Sequence, residues 1–384
     1  MDTPSPVVLV RCGGYGAERV EQAIEQGISL LGGAERYAKP GETIVLKPNL
    51  LVGRSPERAV NTHPDVFRAV AHILSRTGAT LVYGDSPGIG RPADAAARSG
   101  IGAVARELGI RLADFSHGET VSFPEGSLIK QFVLARGVTE AQGLISLPKL
   151  KTHGLTRLTG AVKNQFGCIP GALKAEFHAR LPNADLFSRM LVDLNRCLRP
   201  RLFVMDAVVA MEGNGPQGGT PRPMHALLLS EDPVAMDTVA CRMVSLDPSL
   251  VPTIFHGDSQ GLGTSRPAIV GDEVESFVAQ DFAVNRSLMS TTGRPGRPSR
   301  WARRFVVPKP RIQQKMCTRC GTCVAICPIE PKAISFPEGN RERVPEHDYE
   351  LCIRCYCCQE MCPEHAIDVA VPLLGRFIHG NGPD

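Results

Sequence analysis

Cysteine residues recur at fixed intervals near the end of this 384-residue chain. Residues 317–328 read CTRCGTCVAICP, and residues 352–363 read CIRCYCCQEMCP. Both stretches contain the spacing C-x2-C-x2-C-x3-C followed by proline. Thiolates are ligands for soft metals, and a four-cysteine run of this kind holds an iron–sulfur cube. The two copies therefore predict two 4Fe-4S clusters.

The spacing also predicts how the thiols divide between the clusters. Three cysteines on a tight loop can point their sulfurs at three irons of one cube, while the fourth, followed by proline, reaches the other cube. The first predicted ligand set is Cys317, Cys320, Cys323 and Cys362. The second set is Cys352, Cys355, Cys358 and Cys327. Cys357 is left over, and we interpret it as a buried thiol without a ligand role; a spare ligand after oxidative damage is the alternative.

Zinc binding and disulfide bonds are the other uses that such thiols have. Zinc sites favour two separated C-x2-C pairs over a four-cysteine run that ends in C-P. Disulfides belong mainly to oxidising compartments, whereas the N-terminal sequence MDTPSPVVLV lacks the features of a signal peptide. No apolar run is long enough for a membrane helix. The 13 cysteines thus fit a reducing compartment, and we expect a cytoplasmic protein that does not span a membrane.

Residues 317 to about 370 resemble a bacterial two-cluster ferredoxin. The internal repeat extends beyond the ligands, since CPIEPKAISF in the first half corresponds to CPEHAIDVA in the second. We interpret AISF and AIDVA as short strands that pair around the clusters. The resemblance implies that this module carries single electrons to or from a redox partner protein.

Composition divides the chain into four segments. We assign residues 1–281 to a large domain, 282–316 to a linker, 317–371 to the ferredoxin module and 372–384 to a tail. The linker is rich in proline and arginine and contains no acidic residue, so we expect it to lie against the acidic module or an acidic redox partner. Binding to nucleic acid is the alternative. Few aromatic side chains accompany the basic ones, and we do not expect a nucleic-acid partner.

The large domain alternates short apolar runs with longer amphipathic ones. VVLVRC and TIVLKPNL each precede a helix-length segment, and ATLVYGDS precedes another at 92–108. Later strands are predicted at GLISLPKL and RLFVMDAVV. This alternation predicts an α/β fold with a mostly parallel sheet and helices on both faces, joined to a small α+β ferredoxin-like domain.

Polar side chains gather where these strands end. In a parallel sheet ligands bind beyond the carboxyl ends of the strands, so lysines and amides in that position predict a pocket for an anionic small molecule, such as a carboxylate or phosphate. The candidates for binding it are Lys47, Asn49, Lys149, Lys151, Lys163, Asn164, Glu212 and Asn214. The candidates for moving protons are His153 and Asp85. For each residue taken singly, a solvated loop position is the alternative.

The same segments carry a second resemblance. The stretches LKPN, THP, GDSPG, LPKLKTHGLTRLTGAVKNQFGCIPG and EGNGPQGG occur in this order between residues 7 and 275. They resemble the family named domain of unknown function 362, whose members often carry fused ferredoxin modules. The resemblance implies the architecture and the location of the site, and no general activity.

Three hypotheses for function follow. The first is an iron–sulfur oxidoreductase whose ferredoxin module exchanges single electrons with an anionic molecule held at the strand ends. The second is an electron carrier whose large domain only docks a partner protein. The third is an assembly or maturation factor whose clusters serve another enzyme. The set of lysines, asparagines and a histidine favours the first, because docking alone does not require it.

Overall fold

Two hydrophobic cores lie on opposite faces of one large sheet. Alternate side chains of a strand point to opposite faces, and the first strand shows this clearly: Val7 and Leu9 belong to one core, and Val8 and Val10 belong to the other. Helices cover both cores, with Ile24 on one face and residues 184–198 on the other. The predicted α/β architecture, with helices on both faces of the sheet, is confirmed.

The computed structural model describes residues 6–171, 173–181, 183–287 and 307–372. The strands of the large domain are β1 (Val7–Arg11), β2 (Thr43–Pro48), β3 (Thr80–Tyr83), β4 (Arg111–Leu112), β5 (Gly118–Ser122), β6 (Gln131–Ala135), β7 (Gly143–Leu147), β8 (Lys149–His153), β9 (Arg157–Thr159), β10 (Leu202–Glu212), β11 (Thr220–Ser230) and β12 (Ile269–Gly271). The helices are α1 (Ala17–Leu30), α2 (Pro64–Ser75), α3 (Pro92–Arg98), α4 (Ile101–Glu107), α5 (Arg136–Thr139), α6 (Ala161–Asn164), α7 (Leu173–Arg180), α8 (Ala184–Leu198), α9 (Pro233–Met243) and α10 (Pro252–Ser259).

The large sheet is mostly parallel. Its strands lie in the order β12-β1-β11-β10-β7-β2-β3-β4, while β8 pairs with β10 and β9, and β5 and β6 form a separate hairpin. Strands β2, β3, β4, β7, β8 and β10 form parallel pairs, whereas β11 runs antiparallel to β1 and β10. Strands β7 and β8 are separated only by Pro148, whose carbonyl oxygen accepts a hydrogen bond from the backbone N–H of Asp206 at 2.9 Å. Lys149, Lys151 and His153 therefore lie within a strand, beyond the point where β7 and β2 end.

The segment at 92–108, expected as one helix, forms two. Helix α3 ends at Arg98 and α4 begins at Ile101, with Gly100 between them at φ +80°. A right-handed helix cannot continue through that left-handed conformation, which glycine adopts at little cost. The turn lets both short helices bury small side chains on the same face, since Ala96 and Ala105 belong to one core.

The ferredoxin module contains two short two-stranded sheets and two short helices. Its elements are β13 (Lys309–Ile312), α11 (Thr322–Ile326), β14 (Ile334–Ser335), β15 (Glu346–His347), α12 (Cys357–Glu360) and β16 (Ile367–Ala370). Strands form at both sites expected from the AISF and AIDVA sequences. They do not pair with each other, because β14 pairs with β15 and β16 pairs with β13.

The segment assigned to a linker is described only at its two ends. Residues 288–306 lie outside the described part of the chain, as do residues 373–384 of the predicted tail. Phe282 is fully buried in a core of the large domain, and β13 pairs with β16 of the module. The described ends of this segment thus belong to the two domains, and the module includes β13, upstream of the boundary predicted at 317. Within the described ranges, no helix is long and apolar enough to cross a bilayer.

Candidate functional site

Two cavities in the ferredoxin module are each lined by four cysteines. Cavity one has an empty volume of ≈ 340 Å³ and is lined by Cys317, Cys320, Cys323 and Cys362, among others. Cavity two has an empty volume of ≈ 320 Å³ and is lined by Cys327, Cys352, Cys355 and Cys358. Each set combines three cysteines of one loop with the proline-followed cysteine of the other loop. The thiols are therefore grouped as their spacing predicts.

Residues in the left-handed conformation shape both cysteine loops. Arg319 and Arg354, at φ 59° and 65°, precede the second cysteine of their runs, and Gly321 and Tyr356, at 78° and 62°, follow it. Positive φ is uncommon for residues other than glycine, so its recurrence at three non-glycine positions marks a required turn. Both loops bend in the same way around their cavities, which is the structural counterpart of the sequence repeat.

The thiols of each set surround a volume and do not meet at a point. Among the described residues, no three His, Cys, Asp or Glu side chains converge closely enough to hold a single metal ion. A 4Fe-4S cube has an iron at each ligated corner, so its ligands lie apart around it. The residues present therefore fit such a cube. Cys357 lines neither cavity and is 5% exposed, which agrees with the interpretation that it has no ligand role.

Side-chain amides dock the ferredoxin module onto the α/β domain. Gln217 Nε2 donates hydrogen bonds to the carbonyl oxygens of Glu360, at 3.0 Å, and Cys362, at 3.3 Å. Tyr356, which lies between two cysteines of cavity two, is 3% exposed and packs in a hydrophobic core of the α/β domain. The loop that lines cavity two is thus held against the strand ends of the large sheet.

Two predicted substrate-binding residues lie elsewhere. Asn214 contacts the module: its Nδ2 donates to Asp368 Oδ1 at 3.0 Å, and its Oδ1 accepts from Gln359 Nε2 at 2.6 Å. Glu212 Oε2 accepts a hydrogen bond from the backbone N–H of Ala283 at 3.0 Å. The structure gives both side chains a role in holding segments together and does not bring them into the cluster of lysines.

Lys149 is neutralised by an internal ion pair. Its Nζ lies 2.7 Å from Asp206 Oδ2 and donates a hydrogen bond to the hydroxyl of Tyr15 at 2.8 Å. The Tyr15 hydroxyl donates in turn to Asp206 Oδ1 at 2.8 Å, and the ring of His63 stacks on the Tyr15 ring at 3.5 Å. Burial lowers the pKa of Lys149, and Asp206 opposes that shift. Lys149, Asp206 and Tyr15 therefore satisfy one another's hydrogen bonds. Asp206 was not among the residues predicted from the sequence, although a carboxylate within the apolar run RLFVMDAVV indicates a buried partner.

Lys47 has a similar internal partner. Its Nζ lies 2.8 Å from Asp85 Oδ1, and both side chains are almost fully buried. The other oxygen of Asp85 accepts a hydrogen bond from the backbone N–H of Leu50 at 2.7 Å. Asn164 joins the group through its Oδ1, which accepts from Lys47 Nζ at 3.3 Å and from Asn49 Nδ2 at 3.1 Å. Asp85 therefore fixes Lys47 and the loop after β2, and is not free to move protons to a ligand.

Lys151 is also buried and has only neutral hydrogen-bond partners. Its Nζ donates to Asn49 Oδ1 at 2.8 Å and to the carbonyl oxygen of Val60 at 2.6 Å. Burial lowers the pKa of Lys151 well below its ordinary value, and the nearby ammonium of Lys163 lowers it further. Lys151 thus links the strand-end amides to the group around Lys163.

His153 and Lys163 face a carboxylate that comes from the ferredoxin module. His153 Nε2 lies 3.6 Å from Glu360 Oε1, which is a close approach but too long for a hydrogen bond. His153 Nδ1 accepts from the backbone N–H groups of Leu155 and Thr156, at 3.0 and 3.3 Å, so the neutral ring carries its hydrogen on Nε2. Burial lowers the pKa of His153 to about 4, which keeps this ring neutral at pH 7.

Charged groups of the two domains change one another's pKa values around Glu360. Burial lowers the pKa of Lys163, and Glu360 is the largest influence that raises it. Burial alone would raise the pKa of Glu360, but Lys163 and His153 lower it below its usual range. Within the described residues, the Lys163 ammonium has no hydrogen bond or ion pair. An ammonium without a hydrogen-bond partner among the described residues thus lies near Glu360, at the interface with the module.

Two further basic residues of this group were missed from the sequence. Burial lowers the pKa of His178 to about 4 and that of Lys174 to about 7, and Glu360 opposes both shifts. Lys174 Nζ donates to the carbonyl oxygens of Ser86 and Pro87, at 2.6 and 2.8 Å. Both basic residues lie on α7, where charged and uncharged residues alternate, and nothing local in the sequence indicates that the helix is covered.

Family models match most of the chain. The model described as domain of unknown function 362 matches residues 44–242, and the model described as a 4Fe-4S dicluster domain matches residues 316–366. A curated relative, the thylakoid-associated protein sll1697 of Synechocystis sp., is 35% identical over 257 residues, which are 67% of this chain and 79% of that protein. Both resemblances expected from the sequence are confirmed.

Solved structures show weaker likeness. The lactate racemase apoprotein of Thermoanaerobacterium thermosaccharolyticum matches with a TM-score of 0.38 and 13% identity, over 60% of this chain and 56% of that chain. A structural-genomics protein of Thermotoga maritima matches with a TM-score of 0.35 and 12% identity, over 60% of this chain and 59% of that chain. Each match spans less than two thirds of the solved chain, and neither is close enough to carry an activity over.

Proposed function

Because the chain belongs to the family named domain of unknown function 362 and ends in a 4Fe-4S ferredoxin domain, we propose that it is an iron–sulfur oxidoreductase with two such clusters. It exchanges single electrons between a redox partner protein and an anionic small molecule. That molecule binds at the strand ends of the α/β domain, where Lys163 and His153 face the ferredoxin module.

The proposal of two clusters is supported by the pairing of the cysteine loops. Each cavity takes its fourth cysteine from the opposite loop, so neither set is complete without the other half of the repeat. When bound, a 4Fe-4S cluster accepts and donates one electron at a time. The cysteines would hold cluster one in cavity one and cluster two in cavity two.

The single observation that carries the oxidoreductase proposal is the position of residues 355–360. This segment contains two cysteines of cavity two, places Tyr356 in the α/β core and brings the Glu360 carboxylate to 3.6 Å from His153. A cluster held by Cys355 and Cys358 would therefore share this segment with a side chain of the strand-end site, and it would supply single electrons close to a molecule bound there. A loop that served only to hold a cluster would not need to enter this group of basic residues.

The roles of the strand-end residues follow from their contacts. Among the described residues, no acceptor lies within hydrogen-bonding distance of the Lys163 ammonium, and in this proposal that ammonium attracts the anion. His153 presents its Nε2 hydrogen and can donate a hydrogen bond to an oxygen atom of the bound molecule. Lys47 and Lys149 already have carboxylate partners, so they fix the loops around the site and do not bind substrate.

The proposed cluster content is tested by chemical analysis of anaerobically purified protein. Two cubes predict about eight irons and eight sulfides per chain. Cys355→Ser removes a ligand from cavity two and should lower the iron content by up to half. Cys357→Ser is the matched control, since its thiol lines neither cavity, and it should leave the iron content unchanged. Zinc without acid-labile sulfide, or equal iron loss in both variants, would contradict the assignment.

The proposed anion site is tested by thermal unfolding of the same protein in acetate, succinate or phosphate. A ligand at a hundredfold excess over its dissociation constant should stabilise the native state by about 2.7 kcal/mol. Lys163→Ala should abolish this effect, while Lys39→Ala, at an exposed position, should preserve it. The alternative function as an electron carrier is favoured by the internal partners of Lys47 and Lys149, and anion stabilisation that is insensitive to Lys163→Ala would support it.

The proposed compartment is the cytoplasm. Its support is chemical, because free thiols persist in a reducing compartment and tend to form disulfides in an oxidising one. The curated relative is named as thylakoid-associated. Fractionation of cells that express a tagged chain separates the two cases, and recovery with the membrane pellet would contradict a purely cytoplasmic location.

A further inference from the structure

The carboxylate of Glu360 lies in the strand-end site although it belongs to the other domain. Glu360 ends helix α12, is 7% exposed and faces His153 of β8 across the domain interface. Its backbone is held in place by Gln217, whose amide donates to the Glu360 carbonyl oxygen at 3.0 Å. The helix is therefore docked, and the side chain extends from it into the group of basic residues.

The two donors that face Glu360 are incompletely satisfied. His153 Nε2 is buried and has no hydrogen-bond partner. Lys163 is 9% exposed, and in the described part of the chain no acceptor reaches its ammonium within hydrogen-bonding distance. A buried donor without an acceptor costs free energy. Both donors can therefore bind an anion that approaches more closely than Glu360 does.

Three other buried lysines of the cluster lack this capacity. Lys47 and Lys149 have carboxylates at 2.8 and 2.7 Å. Lys174 donates to two carbonyl oxygens and to the hydroxyl of Ser86, at 2.7 Å, which uses all three of its hydrogens. The hydrogen-bonding capacity that His153 Nε2 and Lys163 retain for an external anion lies where the Glu360 carboxylate approaches them.

On the basis of the proposed anion site, we propose that Glu360 is the internal occupant of that site and that the external ligand is a small carboxylate that replaces it. The occupant defines the chemistry: one imidazole N–H and one ammonium face a planar group with two oxygens. A glutamate side chain has three rotatable bonds, so the carboxylate can withdraw while helix α12 stays docked. Glu360 thus sets the affinity and specificity of the site by competing with the substrate.

The competition is tested by titrating the full-length, anaerobically purified chain with acetate, pyruvate or inorganic phosphate in a calorimeter. Glu360→Gln removes the competing charge. An occupied site binds its ligand with an affinity reduced by the fraction of molecules in which it is free, so this variant should bind acetate or pyruvate on the order of tenfold more tightly than the natural chain. Glu360→Asp, which shortens the side chain by one methylene, should also gain affinity and covers the case in which the glutamine variant loses iron.

Two further variants test whether the gain in affinity depends on Glu360 and on Lys163. Glu350→Gln is the matched control, because Glu350 is exposed and lies two residues before a predicted cluster ligand, as Glu360 lies two residues before Cys362. It should bind as the natural chain does. Adding Lys163→Ala to Glu360→Gln should abolish the gain.

Each other outcome has a definite meaning. Equal affinity in the natural chain and both Glu360 variants, with binding that still requires Lys163, would overturn the internal occupant and leave the anion site intact. A gain for phosphate and none for the carboxylates would overturn the proposed ligand class. No Lys163-dependent binding of any probe in any variant would overturn both this inference and the proposed function on which it rests.

Discussion

The buried ion pair between Lys149 and Asp206 permits a quantitative test of how the strand-end cluster is held together. Lys149 Nζ lies 2.7 Å from Asp206 Oδ2, and the two side chains are 1% and 0% exposed. Asp206→Asn preserves the size of the side chain but leaves the ammonium of Lys149 buried without a counter-ion. Breaking a buried pair on one side costs about 3–5 kcal/mol, and we expect the free energy of unfolding to fall by that amount.

Removal of both charges should be less damaging than the two single changes suggest. Lys149→Met combined with Asp206→Asn leaves no unpaired charge, and replacing a buried pair by neutral groups of similar volume is often tolerated. Because the two side chains are in contact, we expect a coupling free energy of about 1–3 kcal/mol between the substitutions. The double variant should not regain the full stability of the natural chain, because the Tyr15 hydroxyl is hydrogen-bonded to both side chains.

The assay is urea unfolding of the full chain under argon, followed by far-ultraviolet circular dichroism. Asp94→Asn is the control, because it breaks the exposed pair in which Arg91 Nε lies 2.9 Å from Asp94 Oδ2, and its unfolding midpoint should match that of the natural chain. A loss of less than about 1 kcal/mol for Asp206→Asn would refute the reasoning that buried charge dominates this site. Strict additivity of the two single changes would refute it as well.

Three further predictions follow from single positions. Gly167→Ala should lower the melting temperature, because its Cβ would lie 2.8 Å from Lys47 Nζ and would collide with Asp85 Oδ1. Burial raises the pKa of Asp237 from 3.8 to about 7, so the stability that its proton provides is complete below pH 3.8 and is lost as the pH rises through 7; unfolding measured from pH 4 to 8 should show a flatter profile for Asp237→Asn. Asn214→Ala removes contacts to the ferredoxin module, and limited proteolysis should then release an iron-containing fragment faster than from the natural chain.

The cysteine sets could be predicted because their geometry is local. Within one loop, residues three apart are brought together by the loop itself, and the proline after the fourth cysteine redirects the chain toward the other half. The order of strands and helices was predictable for a similar reason, since hydrophobic periodicity is read over short windows. The glycine at position 100 is visible in the sequence, but the turn between the two helices is not. The conformation of Gly100 depends on how those helices pack.

The partners of the predicted lysines could not be read from the sequence in this way. Lys149 and Asp206 are 57 positions apart in the chain, and only the parallel pairing of β8 with β10 sets them side by side. Glu360 was not predicted as a site residue, because the spacing of the surrounding cysteines explained this segment without it. A cluster of lysines indicates that anions are near, but whether those anions are substrate or side chains is a property of the tertiary structure.

Tyr356 anchors the loop that lines cavity two in the hydrophobic core of the α/β domain. Its ring fills part of the α/β core, its hydroxyl donates to the carbonyl oxygen of Pro308 at 2.9 Å, and its chain neighbours include Cys355 and Cys358. A cofactor held at the surface can be lost without harm to the fold beneath it, whereas here the same loop supplies both thiols and core. We therefore expect oxidative loss of the metal to expose apolar surface in the large domain, so that cells can recognise and degrade a chain whose redox centre has failed.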